Sequence, residues 1–132
     1  MKMIGNSFLL DTNIIIALLK GESVIAEKID KASNVHIPVI VIGELYYGSL
    51  YSSNIEKNIK DIESLASRYN VLDIDEAVAR SYGHIKTNLR KNGTPIPEND
   101  IWIAALAKRH ELTLVTRDKH FKEVESISIE NW

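Results

Sequence analysis

The sequence predicts a three-layer α/β/α sandwich built on a mainly parallel sheet of about four to five strands. Three observations carry that prediction. Short apolar runs such as Phe8-Leu9-Leu10 and Leu112-Thr113-Leu114-Val115 alternate with longer stretches of helical periodicity, the order expected of a parallel sheet with crossover helices. The first run stops abruptly on Asp11 and resumes as Ile14-Ile15-Ile16-Ala17-Leu18-Leu19, which reads as strand, polar corner and helix. Late in the chain, Ile101-Trp102-Ile103-Ala104-Ala105-Leu106-Ala107 is apolar nearly all round, so its helix belongs in the interior.

In order, Phe8 to Asp11 forms the first strand, and a helix follows from Thr12 to Lys20. Gly21 ends it, since glycine readily takes the left-handed cap conformation. Ser23 caps a second helix reaching about Lys31, and Val35-His36-Ile37 is a short second strand closed by Pro38. Val39-Ile40-Val41-Ile42 is ambiguous: β-branching favours strand, whereas proline at a first helical position allows a helix through Tyr47. Ser53-Asn54-Ile55-Glu56 has the spacing of a capping box, and Ile55, Ile59, Ile62 and Leu65 mark an amphipathic helix. Val71 to Ile74 is the third strand. Asp75 caps the next helix, whose apolar stripe is Val78, Tyr82, Ile85 and Leu89. Thr94-Pro95-Ile96-Pro97-Glu98 is a stiff loop, Asn99 caps the buried helix, Leu112 to Val115 is the fourth strand, Arg117 to Phe121 a loop, and Ser126 to Ile129 a last short strand.

Length and composition suit one domain over residues 1–132: 132 residues bury one substantial core, and 45% hydrophobic with 26% charged residues is a globular balance. No apolar run approaches the roughly 18 residues of a membrane span. Met1 to Ser7 lacks the features of a signal peptide, which places the protein in the cytoplasm. Without cysteine there is no thiol nucleophile and no thiolate metal site, so any metal must be held by oxygen or imidazole. Net charge is only −2, yet His84 to Lys122 holds eight Lys/Arg against four acids. Lys86, Arg90, Lys91, Arg117, Lys119 and His120 in this region are candidate contacts for a polyanion such as RNA; ordinary solvated helix faces are the plainer alternative.

Four acids stand at strand ends or in helices that follow them: Asp11, Glu44, Asp100 and Asp118. In a parallel sheet all strand carboxyl ends lie on one edge, the edge where ligands bind. Asp100 enters a helix too apolar for the surface, so its carboxylate is half buried or faces a cavity. Each of these acids could also serve merely as a helix cap or first-turn carboxylate. Converging carboxylates repel one another unless a cation compensates, and a hard divalent ion such as Mg²⁺ or Mn²⁺ prefers this oxygen-rich donor set. Such an ion polarises a phosphodiester and lowers the pKa of a bound water for in-line attack. Thr116 could donate its hydroxyl to a carboxylate, and Asn13 and Asn99 could support the site or act as caps. The histidines show no spacing of a nucleophile and base. His36 suits a structural role, while His84, His110 and His120 could contact RNA. Tyr46, Tyr47 and Tyr51 read as helix packing or a partner contact.

The segments Leu9-Leu10-Asp11-Thr12-Asn13, Gly43-Glu44-Leu45-Tyr46-Tyr47-Gly48, Pro97 to Ala105, and Leu114 to Phe121 resemble, in order and spacing, the four motifs of PIN-domain proteins, and more narrowly the VapC toxins of type II toxin-antitoxin systems. The resemblance runs from Asp11 to Phe121. It implies a PIN fold with a helix at Val39 to Tyr47, Asp11, Glu44, Asp100 and Asp118 as catalytic metal-binding acids, Thr116 in support, and Mg²⁺- or Mn²⁺-dependent endoribonuclease activity. It further implies a homodimer inhibited by a small VapB-type antitoxin. Two alternatives stand beside it. A phospho-receiver signalling domain would need paired acids after strand one and a phosphorylatable Asp after strand three, and here only Asp11 follows the first strand. A catalytically inactive PIN-like RNA-binding protein would not need intact acids. Cleavage of DNA stays open, because carboxylates and metal act on phosphate and do not sense the sugar.

Overall fold

Five parallel strands form the central sheet of the computed structural model, which describes residues 7–132; the expectation of no leader rests mostly on residues 1–6 and lies outside them. The strands are β1 (Ser7–Leu10), β2 (Asn34–Pro38), β3 (Asn70–Leu72), β4 (Thr113–Val115) and β5 (Ile129–Glu130), in the order β3-β2-β1-β4-β5. Leu9 sits in register with His36 on one side and Leu114 on the other, which makes β1 the central strand. Its Leu9 and Leu10 are fully buried, as a strand covered on both faces requires.

Six α-helices are present among the described residues: α1 (Thr12–Leu19), α2 (Ser23–Lys31), α3 (Val39–Leu50), α4 (Ile55–Arg68), α5 (Glu76–Lys91) and α6 (Glu98–His110). Right-handed crossovers place the helices between β1, β2 and β3 on one face and α5 and α6 on the other. Tyr82 stacks on Trp102 at 3.9 Å while Lys86, one turn onward in α5, reaches Glu98, one turn back in α6, so these helices run antiparallel. In α6, Ile101 and the run from Ile103 to Ala107 are buried, as the apolar pattern predicts.

The chain leaves β1 towards β2 and leaves β4 towards β5, so the strand order switches between β1 and β4. A crevice opens at the carboxyl ends of two such strands. The order also differs from the 2-1-3-4-5 arrangement of receiver domains, which removes that alternative.

Local details depart from the sequence reading where backbone geometry overrides side-chain preference. Val39–Leu50 is a helix, with Pro38 as its N-cap and not its first residue. The second helix is capped by the backbone of Glu22, and Ser23 is its first residue. The capping box at Ser53 does not form: Asn54 occupies the N-cap without a side-chain bond, and its carbonyl accepts from the Asn58 amide. Asn99 does not cap α6, because the chain already turns at Pro97, whose carbonyl accepts from the amides of Asp100 and Ile101. The third strand is Asn70–Leu72, ending before Asp73 and Ile74, and the last strand starts at Ile129 and not at Ser126. Within the expected loop after β4, Lys119–Glu123 forms a 3₁₀ helix.

Candidate metal centre

The crevice between β1 and β4 is lined by residues that each strand delivers as it ends. Asp11 follows β1, and its amide bonds to the Val115 carbonyl at 3.0 Å, extending the sheet by one rung. Its carboxylate is the N-cap of α1, accepting from the Thr12 amide at 2.8 Å, so the capping role and a place in the crevice coexist. Asp11 is only 5% exposed, an unusual position for a carboxylate.

Thr116, buried at the end of β4, connects two of the acids. Its hydroxyl donates to Asp11 Oδ2 at 2.7 Å and accepts from the Asp118 amide at 2.9 Å. Asn13 adds a bond to Asp11 Oδ2 at 3.3 Å, and its own carbonyl oxygen accepts from the Arg117 amide at 3.1 Å, pinning the loop after β4 to the start of α1. Glu44, one turn into α3, accepts from Thr12 Oγ1 at 2.7 Å and from Asn99 Nδ2 at 3.3 Å, which ties α1, α3 and α6 together. Asp100 lies in the first turn of α6, where the helix dipole favours a negative charge. Asp118 caps the 3₁₀ helix through a 2.9 Å bond from the His120 amide.

The electrostatics register the convergence of the four acids. Burial pushes the Asp100 carboxyl up to about 6, and the charges of Asp11, Asp118 and Glu44 push the same way; His120 opposes them. Asp11 is also raised, chiefly by burial; the hydrogen bonds from Thr116 and Thr12 counter the rise, and Glu44 and Asp118 add to it. Carboxyls pushed up by burial and by neighbouring negative charge, as those of Asp11 and Asp100 are, gain from a nearby cation. Asp100, Asp118 and His120 each offer a ligand atom, all within 4.8 Å of one another, and this oxygen-plus-imidazole donor set fits a divalent metal ion.

The predicted polyanion contacts divide. Lys86 is paired with Glu98 at 2.8 Å and lies over the Tyr82 ring, and Tyr82 also donates to Glu98. Arg117 grips Glu22 through both terminal nitrogens, at 3.0 and 3.3 Å, and its Nε donates to the Trp132 carbonyl. Arg90, Lys91 and Lys119 are exposed. His120 stands apart from this set: its Nδ1 is 3.0 Å from Asp118 and 3.7 Å from Asp100. The sequence signal for that position is its spacing, two residues beyond an acid at the end of a strand. The partnership of Thr12 with Glu44, across 32 residues, leaves no such signal.

A family model described as PIN domain matches residues 8–127. Ribonuclease VapC2 of Haemophilus influenzae is 38% identical over 128 residues, spanning 95% of this chain and 97% of the relative. The tRNA(fMet)-specific endonuclease VapC of Shigella flexneri is 34% identical with the same coverage. Among solved structures, VapBC2 from Rickettsia felis bound to a DNA fragment from its promoter superposes with a TM-score of 0.88 at 32% identity, covering 95% of this chain and 98% of the other.

Proposed function

This chain belongs to the PIN-domain family, among its VapC proteins, and from that premise we propose that it is the endoribonuclease toxin of a type II toxin-antitoxin pair. The observation that carries the reading is the group of buried Asp11 and part-buried Glu44, Asp100 and Asp118 at the switch point of a parallel sheet, in which the carboxyls of Asp11 and Asp100 are pushed up by burial and by their acidic neighbours. Mg²⁺ or Mn²⁺ is the cofactor, held by these four acids, and when bound it supplies the positive charge that activates water and stabilises the phosphodiester as its negative charge grows.

The protein's own residues perform the orienting work. Thr116 holds Asp11 in one rotamer and, by accepting from the Asp118 amide, fixes the acids after β1 and β4 relative to each other. Thr12 and Asn99 occupy both oxygens of Glu44, setting the plane of that carboxylate. Burial of Asp11 excludes bulk water from one side of the crevice and strengthens every charge interaction inside it. Arg90, Lys91 and Lys119, which are exposed, attract the RNA backbone, with His120 beside Asp118 and Asp100, whereas Lys86 and Arg117 are held by Glu98 and Glu22.

A VapB-type antitoxin is the partner that restrains the enzyme, and a second copy of the chain forms a homodimer. Exposed Tyr47, Leu50, Tyr51 and Ile55 on α3 and α4 give the apolar surface such contacts need. No helix of the described residues is long and apolar enough to cross a membrane. Action in the cytoplasm, where RNA is made and used, follows from the proposed activity.

The test is cleavage of labelled single-stranded RNA, matched DNA and initiator tRNA by antitoxin-free protein with Mg²⁺, Mn²⁺ or EDTA, beside Asp100→Asn. The tRNA is included because relatives carry the name tRNA(fMet)-specific endonuclease. RNA cutting that requires metal and is lost in the variant supports the reading. Undiminished cutting by Asp100→Asn, or in EDTA, refutes it.

A further inference from the structure

We propose that the His120 imidazole is itself a metal ligand, completing a three-donor position with Asp100 and Asp118 that selects Mn²⁺ over Mg²⁺. The inference rests on the metal-dependent reading above and extends it to a residue outside the four acids. Two ligands placed cis on an octahedral ion at about 2.1 Å lie about 3.0 Å apart, and two placed trans about 4.2 Å apart. His120 Nδ1 is 3.0 Å from Asp118 Oδ1, the cis spacing, and 3.7 Å from Asp100 Oδ2, between the two spacings, and the three residues' donor atoms lie within 4.8 Å of one another, so a side-chain adjustment of a fraction of an ångström brings them onto one ion.

The backbone holds the imidazole there. The His120 amide donates to Asp118 Oδ1, which closes a tight turn and brings the side chains at positions 118 and 120 to the same side. Phe121, fully buried next to it, anchors the 3₁₀ helix in the core. His120 itself is 56% exposed, open enough for an ion to enter and for its ring to adjust by the fraction of an ångström that coordination needs.

Selectivity follows from donor chemistry. Mg²⁺ binds oxygen, keeps several waters and accepts imidazole poorly, whereas first-row transition ions gain from nitrogen donors. Asp100 and Asp118 alone would serve either ion. Adding His120 raises affinity for Mn²⁺ and leaves Mg²⁺ nearly indifferent.

Pulsed electron paramagnetic resonance of the full chain loaded with one equivalent of Mn²⁺ tests this without reference to turnover. The expected echo carries the modulation of a directly bound ¹⁴N, which disappears in His120→Asn, a variant whose side-chain amide can still donate to Asp118. Calorimetric titration of the same proteins is expected to show Mn²⁺ binding weakened at least about tenfold, the lower edge of what losing even a supporting partner of a ligand costs. Mg²⁺ binding changes by less than about twofold, because oxygen donors carry it. Mn²⁺ that binds the wild type, is lost in Asp100→Asn and shows no nitrogen modulation overturns the assignment of His120 and leaves the acidic centre standing. Mn²⁺ that does not bind the wild type at all overturns both.

Discussion

Replacing Asp100 by Asn is expected to stabilise the metal-free protein at neutral pH while abolishing its activity. A carboxyl held at about 6 in the folded chain, against an ordinary 3.8, binds its proton about 3 kcal/mol more tightly when folded. Below pH 3.8 the group is protonated in both states and contributes nothing. Between 3.8 and about 6 the unfolded chain releases the proton first, so stability falls as pH rises, and above 6 the whole penalty is present. The side chain is 15% exposed, so water screens part of this, and a gain of about 1–3 kcal/mol is expected for Asp100→Asn at pH 7.5. Urea unfolding in EDTA at pH 4 and pH 7.5 measures it. The two proteins should agree within about 0.5 kcal/mol at pH 4, where both folded proteins carry a neutral side chain and only the unfolded wild type has begun to ionise. Saturating Mn²⁺ should then stabilise the wild type more than the variant, since the ion removes the repulsion that the substitution had already removed. A variant no more stable than the wild type at pH 7.5, with parallel pH profiles, would refute the claim that burial, with the charges of its acidic neighbours, holds the Asp100 carboxyl up.

Thr116→Val keeps the shape of the buried side chain and deletes the hydroxyl that joins Asp11 to Asp118; metal affinity should fall about 10–100-fold by titration, with Thr116→Ser restoring it. Glu22→Gln and Arg117→Ala should lower the melting temperature by similar small amounts, and the double variant by no more than either alone, because the two side chains act as one clamp on the loop that carries Asp118. Joint replacement of exposed Arg90 and Lys91 by Ala should weaken RNA binding by the inactive Asp100→Asn protein. Fluorescence anisotropy should also show its dependence on log salt flattened by about 0.7 for each phosphate that is no longer neutralised.

The sheet is readable because its central strands β1 and β4 are short apolar runs with buried residues, and because the chain alternates strands with amphipathic helices. Val39–Leu50 shows the limit of that logic. Its β-branched start spells strand, and only Pro38 ahead of it and the family resemblance favour the helix that forms. Strand ends shift by one to three residues because pairing with a neighbour, and not local preference, decides where a ladder stops: β5 begins at Ile129 since Leu114 and Val115 are its partners. The acids are legible for a different reason. Asp11 and Asp118 follow strands β1 and β4, Asp100 opens α6 and Glu44 lies in the second turn of α3, and parallel topology brings the strand ends to one edge. Their support is less so. Asn99 has the sequence position of a cap and instead reaches Glu44, because Pro97 has already turned the chain. Arg117 reads in sequence as a cation free to meet RNA, but Glu22, remote along the chain, holds it with both nitrogens.

The most direct test of the account is single-turnover cleavage of RNA by Asp11→Asn, Glu44→Gln, Asp100→Asn and Asp118→Asn, alone and with Asp11→Asn and Asp100→Asn combined. If the four acids act as one centre, each single change removes nearly all cleavage and the double variant is no worse than either parent. Losses that multiply in the double variant, or full activity in any of the four, would contradict it.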